Sequence, residues 1–404
     1  MTGQHEETEA PPDSPMMGRR TALGLAGAVA GAGAVVGSGL LPGASPTANA
    51  VEPPPRAVPA GAQGPGPVDG STVTRVGNIS GPGATSQFGL ERVDVGIPRT
   101  TPDGRTLVTF GDSYASWIGD TPQMSPTGLY AKPDQPADQV LAFSEAVGGE
   151  TAREMLPPYR PDGEFSTKIP SDVITVGDMM YMQVWATNPW PVVQRIEVWA
   201  STDNGQNWEL TNATWPGDFQ AGQFGLWTWD LHEDGFAYIY TSRYRDSPLF
   251  MWRVPAEKIG EADAYEPWGW TEADGWQWGH APTPILDQLP APPGGKVETF
   301  GEMSLRRVDD KWLFVTGTPA GLSAYLLDEP WSDLQATEPL TLLTPAAPGA
   351  ESATSIASLY VGGIMPGSPL KDFTVLVSQW VQDKSRTEAG WPYWVEQFRF
   401  QDVF

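Results

Sequence analysis

Short runs of β-favouring residues, separated by Gly, Pro, Asp and Asn, recur along most of this 404-residue chain. Residues 105–110, 173–176, 179–185, 194–201, 236–242, 249–254, 311–316, 323–327 and 373–379 all have this character. No long window repeats its apolar residues every 3.6 positions, so an all-β fold is predicted, with at most a helical turn over 256–264. Segments opening near Asp172, Gly225, Glu302 and Ser358 share a plan of strand, tight turn, strand, polar turn and further strand. Four or five such units of roughly 55–70 residues suit a β-propeller.

One motif supports that architecture directly. Ser201-Thr202-Asp203-Asn204-Gly205-Gln206-Asn207-Trp208 matches the Asp-box pattern S-x-D-x-G-x-x-W, a hairpin between outer strands of a propeller blade. Asp203 is expected to accept bonds from turn amides, Gly205 to take a positive φ, and Trp208 to pack inward. The motif is structural and is silent on activity.

The ends of the chain have their own logic. Arg19-Arg20 precede a Gly/Ala-rich apolar stretch from Thr21 to Leu41, and Ala48-Asn49-Ala50 offers a small-residue cleavage site before Val51, so residues 1–50 read as a twin-arginine-type signal peptide. Residues 51–71 are rich in Pro, Ala and Gly and read as a linker. Residues 72–404 read as one β-propeller catalytic domain. No second apolar span follows, so no membrane span is expected in the mature chain. The protein is expected to be secreted or associated with the cell envelope, and monomeric; an uncleaved N-terminal anchor is the alternative. With no cysteine, thiolate metal sites and a cysteine nucleophile are excluded. The net charge of −25 disfavours nucleic acid and anionic lipid as partners.

Two aspartates carry the candidate chemistry. Asp94 lies in Glu91-Arg92-Val93-Asp94-Val95-Gly96-Ile97-Pro98 and Asp112 in Phe110-Gly111-Asp112-Ser113-Tyr114, with the turn Pro102-Asp103-Gly104 between them. That layout places a carboxylate near the end of each of two neighbouring strands. Paired carboxylates are the minimal equipment for hydrolysing a glycosidic bond; the bland alternative is two turn-capping aspartates. Gly111-Asp112-Ser113 also matches the nucleophile block of some esterases. That chemistry needs a histidine base, and the only histidines, His5, His232 and His280, do not fit its spacing. Asp172, Arg243, Glu302 and Trp380 fall at strand ends, where a propeller cleft collects polar and aromatic groups. Eighteen tryptophans suit core packing and stacking on sugar rings alike. No His cluster, phosphate loop or dinucleotide fingerprint is present, so no cofactor is expected. A structural calcium ion held by oxygens on a propeller axis is compatible with the sequence.

The residues resemble a known family. Ile79-Ser80-Gly81-Pro82-Gly83-Ala84-Thr85 through Asp94 to Asp112-Ser113-Tyr114, then Ile169-Pro170-Ser171-Asp172, Tyr238-Ile239-Tyr240-Thr241-Ser242-Arg243 and Gly301-Glu302-Met303-Ser304, are similar to domain-of-unknown-function family 4185. Its members are grouped as glycoside hydrolase family 183. The resemblance implies a five-bladed propeller and an endo-D-arabinanase acting on the D-arabinan of arabinogalactan and lipoarabinomannan. The family's catalytic aspartates fall on Asp94 and Asp112. Inversion is favoured, with Asp94 as base. Arg92, Asp172, Arg243, Glu302 and Trp380 are the expected substrate contacts. The tract 121–168 is longer than the resemblance implies and is expected to reshape the cleft. A non-catalytic propeller lectin binding cell-envelope glycans is the alternative. A third reading is another glycosidase, for L-arabinan or sialic acid; the scarce arginines argue against the latter.

Overall fold

The computed structural model describes residues 67, 69–116, 121–157, 167–243, 245–246, 248–287, 300–318, 321–380 and 393–404. The expected signal segment, and the linker up to residue 66, lie outside these. Among the described residues, five sheets form five blades around a common axis. Blade I comprises Arg92–Thr100, Thr106–Tyr114, Thr127–Ala131 and Phe143–Ala146. Blade II comprises Thr167–Val176, Met179–Thr187, Val193–Ser201 and Glu209–Pro216. Blade III runs from Leu226–Leu231 through Phe236–Ser242, Phe250–Pro255 and Glu266–Thr271 to Gly275–Trp278. Blade IV runs from Met303–Val308 through Lys311–Thr318, Gly321–Leu327 and Leu340–Pro345 to Ser355–Ile356. Blade V is built from Leu359–Ile364, Asp372–Gln379, Trp394–Gln401 and, at its outer edge, Thr72–Asn78.

The first strand of each blade lines the axis, and each of these inner strands contacts those of the two neighbouring blades. Blade V is completed by the N-terminal strand, which pairs antiparallel with Trp394–Gln401 from Thr72↔Gln401 to Asn78↔Glu396. Closure therefore joins the two ends of the propeller within one blade. The repeats legible at Gly225, Glu302 and Ser358 each sit one residue before an inner strand, whereas Asp172 lies inside one. The expected helical turn over 256–264 consists of two short 3₁₀ turns, Ala256–Lys258 and Ala262–Ala264.

Apolar side chains gather at the seams between blades. The seam between blades II and III packs Ile196, Val198 and Trp215 against Phe224, Trp227 and Trp229. Comparable clusters fill the other four seams. Alternation along each strand sends one face to each neighbouring blade, so every blade is buried on both sides. Many tryptophans, including Trp199, Trp208, Trp215, Trp227, Trp229, Trp252 and Trp312, are consumed in this packing.

The Asp-box performs as its sequence suggests and also clamps two blades. Asp203 accepts from the Asn207 amide at 2.8 Å and the Ser201 hydroxyl at 2.8 Å, Gly205 has φ +90°, and Trp208 Nε1 donates back to the Gly205 carbonyl at 2.9 Å. From blade I, the Asp103 amide donates to Asn204 Oδ1 at 3.0 Å, and Tyr130 Oη donates to the Asn204 carbonyl at 2.8 Å.

The axis is crossed by buried ion pairs. Arg306 binds Asp172 through both terminal nitrogens, linking blades IV and II, while Arg99 of blade I reaches Asp230 of blade III at 2.5 Å. Burial works against the Asp230 carboxylate, but Arg99 and Arg306 outweigh it and hold the group below the usual carboxylate range. No helix among the described residues is long and apolar enough to cross a membrane.

Candidate active site

One mouth of the axis is formed where the inner strands begin and their hairpin partners end. In blade I these two ends carry Asp94 and Asp112, because Arg92 pairs with Tyr114 and Val93 with Ser113. The ladder then breaks twice, between Val93 and Val95 and between Val95 and Ile97. Such bulges re-aim side chains. Here they bring the Asp94 carboxylate over Gly111, where a Cβ would overlap Asp94 Oδ1. Val95, between the two breaks, has φ +68°, a strained conformation for a β-branched residue. Its carbonyl accepts from Ser378 Oγ of blade V at 2.5 Å, and its side chain is buried, so packing holds the strain in place.

Asp112 is only 2 % exposed and sits in a defined set of donors. Thr167 Oγ1, at the start of blade II, donates to Asp112 Oδ1 at 2.8 Å. Gln123 Nε2 donates to the same oxygen and also to Thr167 Oγ1 at 3.0 Å. Tyr393 Oη lies 3.5 Å from Asp112 Oδ2. The Tyr393 ring stacks on Tyr114 with centroids 6.3 Å apart and meets Trp380 at 4.6 Å. Asp112 is thus flanked by an aromatic wall from blades I and V and by hydroxyl and amide donors from blade II and the preceding loop, with Asp94 on the paired strand.

The other sequence-derived candidates are dispersed. Arg92 is buried beside the pair and bonds Glu91 at 3.1 Å; burial pulls its guanidinium below its ordinary range, opposed by Glu91. Trp380 belongs to the aromatic wall. Asp172 lies deeper on the axis, where its oxygens accept from Val173 N, Thr228 Oγ1, Trp229 N and both Arg306 terminal nitrogens. Glu302 sits at the mouth on blade IV and pairs with Arg245 at 3.2 Å. Arg243, on the rim of blade III, is exposed and pairs with Asp246 at 3.0 Å. Gln123, Thr167, Tyr114 and Tyr393 were not singled out from the sequence. Gln123 lies in the 121–168 tract, whose length was its only signal; residues 158–166 of that tract lie outside the described residues. Among the described residues, no three His, Asp or Glu side chains converge as metal ligands.

A five-bladed propeller with an acidic pair at one mouth of its axis is the class of molecule these features define. The chain belongs to the family described as domain of unknown function 4185, whose model matches residues 80–399. It is 28 % identical over 278 residues to notoamide biosynthesis cluster protein J of Aspergillus sp. strain MF297-2, covering 61 % of this chain and 71 % of that one. It is 26 % identical over 349 residues to an uncharacterized 35.9 kDa protein of Mycolicibacterium smegmatis, covering 80 % and 97 %. A solved Bacteroides ovatus structure, provisionally described as a hydrolase, superposes with a TM-score of 0.56 at 14 % identity, covering 78 % of this chain and 87 % of that one. At that identity the likeness speaks for the fold alone.

Proposed function

We propose that this protein is an exported glycoside hydrolase that cleaves internal D-arabinofuranosyl linkages of arabinan, with Asp94 and Asp112 as its catalytic pair. The observation that carries the reading is a pair of buried carboxylates on two paired strands at the mouth of the axis, with an aromatic wall beside Asp112. In the proposed step, one carboxylic acid protonates the leaving oxygen as its bond to the anomeric carbon breaks. The other carboxylate takes a proton from the water that attacks the opposite face, giving inversion. A neutral furanose polymer suits an acidic protein better than an anionic one does. Export through the twin-arginine route belongs to the same proposal and rests on Arg19-Arg20.

Purified protein, Asp94→Asn and Asp112→Asn are incubated with arabinogalactan, and products are separated by anion-exchange chromatography. Wild type is expected to release oligoarabinosides, and each variant to lose turnover by a factor of order 10²–10⁴. Retained binding to the polymer without release by wild type would support the lectin alternative. Release that survives both substitutions would place the chemistry elsewhere.

A further inference from the structure

We infer that the second mouth of the propeller axis is a binding site for a phosphoryl group. The inner strands begin at the mouth that carries Asp94, so their ends, Thr100, Val176, Leu231, Val308 and Ile364, gather at the opposite one. A cavity of about 290 Å³ opens there. Arg99, Asp230, Arg306 and Arg307 line it from the strand ends, and Met365 to Ser368 line it from the turn after the inner strand of blade V. Arg99 stands five residues beyond Asp94 on one strand, a distance of roughly 15 Å, so the two mouths are separate sites.

The chain carries a net charge of −25, yet this lining sets three guanidinium groups against one carboxylate. That carboxylate is already engaged: Asp230 accepts from Arg99, from the Leu231 amide at 2.9 Å and from the Arg307 amide at 2.8 Å. Arg99 spends only Nη2 on the pair, and among the described residues its Nε and Nη1 have no acceptor. Arg306 turns Nη1 and Nη2 to Asp172, with Nη1 also facing the Leu305 and Trp229 carbonyls, and its Nε is a buried N–H without a partner. Such an orphaned donor is costly in a folded protein, and an oxyanion seated in the cavity that Arg306 lines would offset the cost. Arg307 is held by Glu233 at 3.0 Å, but Glu233 is 71 % exposed, and a surface pair of this kind gives way at little expense.

Guanidinium forks suit carboxylates and phosphates alike. Charge decides between them here. Three arginines against one aspartate leave an excess of two positive charges on the lining, which matches a phosphate monoester of about −1.5 to −2 at pH 7 better than a monocarboxylate. Inorganic phosphate and a phosphate monoester present the same chemistry to these groups, and the experiment separates them.

The test measures binding and needs no turnover. Inorganic phosphate, glycerol 1-phosphate and acetate are titrated into the purified protein by calorimetry at constant ionic strength in a zwitterionic buffer. Phosphate is expected to bind saturably, one per chain, and acetate at least about tenfold more weakly. Arg307→Gln removes one charge-assisted contact, and Arg99→Lys replaces the fork by a single nitrogen held at Asp230. Each is expected to weaken phosphate by about tenfold, whereas Asp94→Asn at the other mouth leaves it unchanged. Arg307 is partly exposed and its pair with Glu233 lies at the surface, so Arg307→Gln alone suffices if Arg99→Lys does not fold. Glycerol 1-phosphate bound as tightly as phosphate or more so supports the site with an ester as its ligand, and its exclusion supports the site with the free anion. Absence of saturable binding, acetate bound as tightly as phosphate, or phosphate binding that Arg307→Gln leaves intact overturns the inference.

Discussion

The Asp94 carboxylate occupies the space a side chain at Gly111 would fill. Gly111 also directly precedes Asp112, so the room for one acid is made next to the other in the chain. Gly111→Ala should push the Asp94 carboxylate aside and press on the buried Val95 side chain, 3.0 Å from the added Cβ, without breaking the strand, because Gly111 is not among the positive-φ glycines. A displacement near 1 Å costs on the order of 10²-fold in rate. The expected outcome is a fall in kcat of that order with little change in melting temperature. Thermal denaturation beside kinetics separates the two effects; a melting temperature that falls in step with activity would show a folding defect instead.

Arg306 and Asp172 tie blade IV to blade II through two bonds of 2.7 and 2.6 Å in a fully buried setting. Removing one partner strands the other charge. Arg306→Met is therefore expected to destabilise by about 3–5 kcal/mol, and the double change Arg306→Met with Asp172→Asn by clearly less. Denaturant unfolding of the single and double variants checks this. Equal losses would mean that the charge left on Asp172 is not the source of the cost.

Acid should loosen the propeller through its paired aspartates. Around Asp203, burial raises the carboxyl, but hydrogen bonds from Asn207 and Ser201 outweigh it and hold the group below its ordinary 3.8. Asp230 is lowered in the same sense by its arginines. A carboxylate depressed in the folded state adds stability that is present above the unfolded value and lost as pH falls through the folded one. Stability should thus be flat above about pH 5 and decline below pH 4. Asp203→Asn should make that decline shallower, as read from denaturation midpoints between pH 3 and 6. An unchanged slope would remove the Asp-box from the account.

The parts of this molecule that were legible in sequence are those whose signals are local. The Asp-box is eight contiguous residues, and its turn closes on itself through Ser201, Asp203 and Gly205. The inner strands of blades III to V announce themselves through a turn followed by an apolar run. The closing strand Thr72–Asn78 did not, because its partner lies more than 300 residues away and its own burial is only partial. The same limit applies at the mouth. Asp94 and Asp112 share one hairpin, so their proximity follows from pairing alone. Thr167 reaches Asp112 from the start of the next blade, a relation set by blade packing, and Tyr393 reaches it from blade V, a relation that ring closure creates. Asp172 and Glu302 both looked like cleft residues by position. The fold divides them, with Asp172 paired deep on the axis and Glu302 paired with Arg245 at the rim.

Ring closure itself can be tested at its outer edge. Deleting residues up to 79 removes the fourth strand of blade V and exposes the edge of Trp394–Gln401. It also removes the Arg75 guanidinium that pairs with the buried Glu396 carboxylate. Loss of a buried charge's partner alone costs several kcal/mol, a large fraction of the 5–15 kcal/mol that stabilises an ordinary domain. The truncated protein is expected to melt well below the full chain and to associate through the bared edge, as read by calorimetry and light scattering. Retention of full stability would show that the other strands of blade V close the ring without it.

Trp380 meets Tyr393 at 4.6 Å, and Tyr393 stacks on Tyr114, so the wall beside Asp112 is a single aromatic unit. A ring face that stacks on a sugar contributes to ground state and transition state alike. Its loss should therefore raise KM more than it lowers kcat. Trp380→Ala is expected to raise KM for arabinan oligosaccharides about tenfold, corresponding to roughly 1.4 kcal/mol of lost stacking. Trp380→Phe should recover most of that, since it retains a ring against Tyr393. Steady-state kinetics on both variants decide the role. A fall in kcat with KM unchanged would mean that Trp380 acts through Tyr393 on Asp112 and does not touch the sugar.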